Sequence, residues 1–252
     1  MPAQVVQLRR RPARRPLPPV VQRIPVDATA PSRPLLGLVR PLPFLANWYK
    51  VDDWGRDDTL IRFLGPLARL RWNVSVGGAQ HIPATGAALL VANARRFSMS
   101  TLYASWALSQ ASERPVRFAG RPDIAPVGPL MRRLGALLLD PAEVAGAIRD
   151  GEVVMVSATP TGHPRLVGSV HHELLTGAIM HSTPVLPVVT MSTPVGRSAR
   201  VEVGEALPRR RRRRGPLAEV ELADDAQHEL QKMLDELGGP RTGGPLDWLG
   251  ET

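Results

Sequence analysis

Apolar positions recur along this chain in two periods, and the two periods trade places at short intervals. Between residues 58 and 71, Leu60, Phe63, Leu64 and Leu67 fall at i, i+3, i+4 and i+7. That spacing predicts a helix with one apolar face. Asp58 is the expected N-cap, and Pro66 is expected to kink the helix or end it early. RWNVSVGG (71–78) alternates with period two and predicts a strand. AALLVAN (87–93) is wholly apolar and short, as a strand covered on both faces would be. Residues 99–111, with Leu102, Trp106 and Leu108, predict a helix. PVRFAG and GALLLD (135–140) predict strands, and PAEVAGAIRDG a short helix with Pro141 in its first turn. EVVMVSAT, PVLPVVTMST and ARVEVGEALP predict further strands, with a helix over 169–182 between the first two. Pro216–Leu237 predicts a long acidic amphipathic helix stopped at Gly238.

Strands alternating with helices in this way predict an α/β fold. The expected architecture is a three-layer αβα sandwich around a central, mostly parallel sheet of about six or seven strands. The ends differ in texture. Residues 1–40 hold eight prolines and eight arginines and predict a disordered arm. Residues 41–70 form an aromatic-rich region with Phe44, Trp48, Tyr49 and Trp54 ahead of the first helix. Such a cluster suits either a membrane interface or ordinary core. The α/β domain is expected over 71–237, and 238–252 as a flexible tail.

Composition narrows the classes. The chain lacks cysteine, which excludes disulfides, a thiol nucleophile and thiolate metal sites. No apolar run reaches the roughly 18 residues of a spanning helix, and the first residues lack the apolar core of a secretory signal. A cytoplasmic location is therefore expected. The net charge of +9 is concentrated in two places, residues 1–40 and the unbroken run Arg209–Arg214. Patches of this kind attract anionic lipid headgroups, nucleic acid or an acidic partner.

The segments, in their order, resemble the glycerolipid acyltransferases of the lysophosphatidic-acid-acyltransferase type. Four blocks carry the resemblance: IPATGAALLVAN, GRPDIAPVGPLMRRLGALLLD with Pro126, Gly128 and Gly135, GEVVMVSATPTG, and STPVLPVVT. It spans roughly Leu60 to Leu237 and implies the same αβα fold. In that family the first motif is Asn-His followed, after four residues, by Asp. The histidine takes the proton of the acceptor hydroxyl and the aspartate orients it. Here the block reads NARRFSM, so Asn93 is kept, while Ala94 and Met99 stand at the base and orienter positions. Neither can do proton work, and arginine cannot substitute, since its pKa exceeds about 12. The family's Phe-Pro-Glu-Gly-Thr-Arg block aligns with Val156, Ser157, Ala158, Thr159, Pro160 and Thr161.

The resemblance thus implies an acyltransferase-like protein without catalytic residues, binding lipid or acyl chain in its groove on the cytoplasmic membrane face. Ala94, Met99, Val156 and Ala158 would line that groove. Arg95, Arg96 and Arg121 are the candidate phosphate contacts, with a solvated surface as their alternative. Arg209, Arg210, Arg211, Arg212, Arg213 and Arg214 are the candidate membrane contacts, with a clamp on the acidic C-terminal helix as theirs. Anionic membrane lipids are the expected partners, and a protein partner on the scaffold stays open. No cofactor and no metal is expected.

Two other readings differ in kind. An active lysophospholipid acyltransferase would use acyl-CoA or acyl carrier protein and a substitute base, His163 or His172 being the candidates. A polyanion-binding module would grip nucleic acid through the two basic segments. Nucleic acid is disfavoured, because no stacking aromatics interleave with the arginines.

Overall fold

Strands covered on both faces need apolar residues at every position, and the three central strands of this protein have them along nearly their whole length. In the computed structural model, which describes residues 51–94, 99–161, 163, 165–192, 197–208 and 215–238, they are β2 (Ala88–Ala92), β5 (Val153–Ser157) and β6 (Val185–Ser192). The remaining strands are β1 (Asn73–Gly77), β3 (Val116–Ala119), β4 (Ala136–Leu137) and β7 (Ser198–Val203). The seven form one sheet in the order β1-β7-β6-β2-β5-β3-β4. Every pairing is parallel except β6 with β7. The link from Ser192 to Ser198 is far shorter than the dozen or so residues of a parallel crossover, so β7 must turn back along β6. The sheet expected from sequence is therefore the sheet found.

Side chains of successive strand residues leave on opposite faces and feed two cores. Leu89, Val91, Val154 and Val156 pack with α4 (Pro141–Arg149), α5 (Thr176–Met180) and α6 (Pro216–Glu236). Leu90, Val153, Met155, Leu186 and Val188 pack with Tyr103, Ala104 and Leu108 of α2 (Ser100–Ala111). The register puts Leu89 beside Val154 and Leu90 beside both Met155 and Leu186, so each core is continuous across the sheet.

Several local expectations are corrected. The first helix, α1, spans Asp58–Arg71, and its cap is Asp57, whose carboxylate accepts from Thr59 N and Leu60 N at 3.0 Å each. Asp58 is turned instead to Arg56. Pro66 lies inside α1 without ending it, tolerated because the helix has no buried residue and water can serve the carbonyl it leaves unpaired. The helix expected over 169–182 is a 3-10 turn, His172–Leu175, followed by the short α5. Its first residues are drawn off, since Ser169 O accepts from Thr159 N at 2.8 Å and the two side-chain hydroxyls bond at 3.1 Å. A helix not expected, α3 (Val127–Arg133), follows Pro126. The strand expected over 135–140 is trimmed to the two residues of β4, a short edge that limits pairing with other chains.

The 1–40 arm, Phe44, Trp48, Tyr49 and all but Gly238 of the tail lie outside the described residues. Trp54 is half-buried against the first core, with its ring 3.0 Å from where a Cβ on Gly146 would stand. Core is thus the role of that aromatic.

Candidate functional site

In a sheet of this kind ligands meet the chain at the carboxyl ends of the parallel strands. The end of β2 carries Asn93 and Ala94. Asn93 is buried and fully engaged. Its Oδ1 accepts from Thr190 N at 2.6 Å and from Thr190 Oγ1 at 2.9 Å, while its Nδ2 donates to Thr190 O at 3.1 Å. This lock extends the β2–β6 pairing past the last strand residue. Ala94 follows at once, half-buried, and Met99 is the N-cap residue of α2, 54% exposed. Arg95 and Arg96 between them lie outside the described residues, as do Arg209–Arg214.

Arg121 follows the end of β3, where Gly120 adopts φ +127° and the Arg121 amide donates to Leu137 O at 2.8 Å. Its side chain is mostly buried and loosely paired. Nη1 is 3.9 Å from Asp123 and Nη2 3.8 Å from Glu143, and Nε is buried with no hydrogen-bond partner. A guanidinium held in place with spare donors at this edge can accept an anion.

The end of β5 is built differently from expectation. Val156 is 0% and Ala158 1% exposed, and both belong to the first core. They do not line an open groove: Val156 packs among the side chains beneath α4, α5 and α6, and the Ala158 amide continues the ladder by donating to Ala92 O at 2.8 Å. The loop beyond is tied down by α6. Val167 N donates to Gln231 Oε1 at 3.0 Å and Gln231 Nε2 to Arg165 O at 2.9 Å. Thr161 Oγ1 spends its proton locally, on His163 O or Leu166 O.

The candidate substitute bases are engaged near their own backbone. His163 Nδ1 accepts from Arg165 N at 3.3 Å. His172 Nε2 lies 3.9 Å from Glu173 on the same 3-10 turn. Among the described residues no three His, Asp or Glu side chains gather as a metal site, and no helix is long and apolar enough to cross a membrane.

Two features escaped the sequence pattern. The first is a charged cluster at the other end of the sheet. Arg117, on β3 and 1% exposed, pairs through Nη2 with Asp52 at 2.5 Å and through Nε with Glu152 at 3.0 Å. Burial pushes its guanidinium down, but the hydrogen bonds it donates to Glu152 and Asp52 more than restore it. Arg56 stands nearby, 8% exposed, and burial holds its guanidinium below the usual arginine range despite Asp58. A lone arginine between Val116 and Phe118, in a sheet apolar on both faces, was the available signal for Arg117.

The second feature is a cavity of about 240 Å³ between α1 and α2. Ile61, Leu64 and Leu67 form one wall and Leu102, Tyr103 and Trp106 the other, with Trp72 at one end and Val116 and Leu134 at the opposite end. The serines facing it are spent internally: Ser109 Oγ donates to Ser105 O and accepts from Val116 N.

No protein-family model and no curated protein matches the chain. Among solved structures it is similar to the 1-acyl-sn-glycerophosphate (LPA) acyltransferase PlsC from Thermotoga maritima. The two share 18% sequence identity and a TM-score of 0.55, over 72% of this chain and 80% of that one. The acyltransferase-like fold expected from the four sequence blocks is thereby shown.

Proposed function

We propose that this protein is an acyltransferase-like lipid-binding protein that holds lipid or acyl chain at the cytoplasmic face of a membrane and does not transfer the acyl group. The observation that carries the reading is the pair Ala94 and Met99 on an acyltransferase-like fold. One follows β2 and the other caps α2, and neither side chain can take or hold a proton. Losing members of one catalytic unit typically costs about 10⁴ to 10⁶ in rate.

Surface chemistry supports the membrane part. Ile124, Val127, Leu130 and Leu139 are exposed around α3, beside the loosely paired Arg121. Phe63, Leu67 and Leu70 are exposed along α1. Apolar side chains beside arginine suit an anionic interface, where the apolar groups enter the acyl boundary and the cation meets phosphate. Arg95, Arg96 and Arg209–Arg214 add cations to the chain that anionic headgroups would attract.

The test is an acyl-transfer assay on the full chain, with acyl-CoA and with acyl carrier protein as donors and lysophospholipid as acceptor. Turnover stays at the level of the protein-free control. A rate of about 1 s⁻¹ or more would show a working enzyme and refute the reading.

A further inference from the structure

The cavity between α1 and α2 offers almost nothing polar to a ligand. Ile61, Leu64, Leu67, Leu102 and Trp106 supply most of its walls. Ser105 Oγ donates to Leu102 O at 3.0 Å and Ser109 Oγ to Ser105 O at 2.7 Å. The cations at its two ends are engaged as well. Arg56 pairs with Asp58, and Arg71 stands 5.4 Å over the ring of Trp72. Apolar surface left open to water costs roughly 25 cal/mol per Å². The slot therefore calls for a neutral, apolar occupant.

The turn before α1 shows where one comes from. Val51 forms an antiparallel bridge with Asp57, the N-cap of α1. Between them the chain reverses. Gly55 N donates to Asp52 O and Asp52 N to Arg56 O, both at 2.9 Å, and the Asp52 carboxylate accepts from the amides of Trp54 and Arg56. The turn is anchored, because the same carboxylate pairs with Arg117. In an antiparallel pair, residues before one partner lie beside those after the other. The chain leading into Val51 therefore arrives from the side of α1 and its slot.

Length and chemistry agree. From Asp57 to Arg71, at the far end of the slot, α1 covers about 21 Å at 1.5 Å per residue. The seven steps from Phe44 to Val51 reach at most about 25 Å. Residues 42–50, which lie outside the described residues, read LPFLANWYK and carry no charge before Lys50. Phe44 and Trp48 share a face in either an extended or a helical segment, since a spacing of four suits both periods. An apolar cavity of about 150 Å³ takes one benzene ring, so a volume of about 240 Å³ suits an indole.

We infer that the chain's own segment 44–49 occupies the slot, with Trp48 and Phe44 packed between α1 and α2. Docked there, it holds down a helix that has no buried residue of its own, and it keeps other apolar chains out. The lipid-binding reading stands apart from this, because it is carried by Ala94 and Met99.

The chain lacks cysteine, so one introduced thiol reports its own site alone. Leu64→Cys places it on the slot wall, and Phe63→Cys places it at a position 59% exposed on α1. In the otherwise unaltered full chain, maleimide labels Leu64→Cys about tenfold more slowly than Phe63→Cys. Adding Phe44→Ser/Trp48→Ser removes most of that difference and leaves Phe63→Cys unchanged, while Ala104→Cys in the core stays unlabelled. If the double variant opens the core, proteolysis decides. Ala68→Phe fills the slot and expels the segment, so a lysine-specific protease cuts after Lys50 about tenfold faster than in the parent. Equal labelling of the two thiols in the unaltered chain, no response to Phe44→Ser/Trp48→Ser, or cleavage unchanged in Ala68→Phe overturns the inference. So does protection of Leu64→Cys that appears only with added dodecanol, or only as protein concentration rises, for then a lipid chain or a second copy is the occupant.

Discussion

Removing both acids around Arg117 should unfold this protein far more readily than removing Arg117 itself. Arg117 is 1% exposed, while the Asp52 and Glu152 side chains keep 39% and 25% of their surface in water. The two ends of the cluster therefore respond differently to loss of a partner. In Asp52→Asn/Glu152→Gln the guanidinium stays charged, buried and uncompensated, a situation that costs about 3–5 kcal/mol. In Arg117→Met the stem is replaced by a chain of similar shape, and the two carboxylates can turn to water. Replacing a buried ion pair by an apolar isostere is often neutral, so a loss of about 1 kcal/mol is expected there. For a domain of this size about 1 kcal/mol moves Tm by 2–4 °C, which puts the double variant about 6–20 °C below the parent and Arg117→Met within about 4 °C. Each single acid variant should fall between, because the remaining carboxylate still holds Arg117. Urea and thermal unfolding measure the series, and high salt should change it little because the cation is buried. A double variant within about 1 kcal/mol of the parent, or Arg117→Met more damaging than the double, would refute the reasoning.

Asn93→Ala strips Thr190 of its side-chain partners inside the sheet, and a loss of about 2–4 kcal/mol in chemical denaturation is the expected result. Asn93→Asp should do comparable harm, since its carboxylate still accepts from Thr190 N and Oγ1 but loses the donor to Thr190 O and is buried without a cation. Replacing Arg209–Arg214 with serine should reduce sedimentation with anionic vesicles at low salt, by up to about 6 kcal/mol before ordering costs; unchanged, salt-insensitive binding would exclude an electrostatic anchor. Ile124→Ser/Leu130→Ser should weaken the same binding at high salt as well, because the interaction it removes is apolar.

The strands were legible in the residues because a buried parallel strand leaves no choice of polarity. AALLVAN, EVVMVSAT and PVLPVVTMST can be covered on both sides and suit little else. The helix α3 was hidden by Pro126, Gly128 and Pro129, which read as breakers. Pro129 falls among the first four residues of a helix, where no intrahelical partner is forfeited, so the pattern misled and the geometry did not object. At the candidate site, the replacement of base and orienter by Ala94 and Met99 is plain from order and spacing alone. The burial of Val156 and Ala158 was not, because a residue at the end of a strand can face core or cleft with equal ease.

Local pattern settled the elements, their class and the absence of proton-carrying side chains at two positions, since these depend on residues near one another in the chain. Tertiary structure alone decided the rest. Arg117 meets acids 65 and 35 residues away, and Asn93 meets Thr190 across 97. Arg56 is an ordinary surface arginine in sequence, and only the packing of the segment before α1 against the turn at Arg133–Gly135 buries it. The physical reason is that burial and pairing belong to the space between elements, and period and composition describe only the elements themselves.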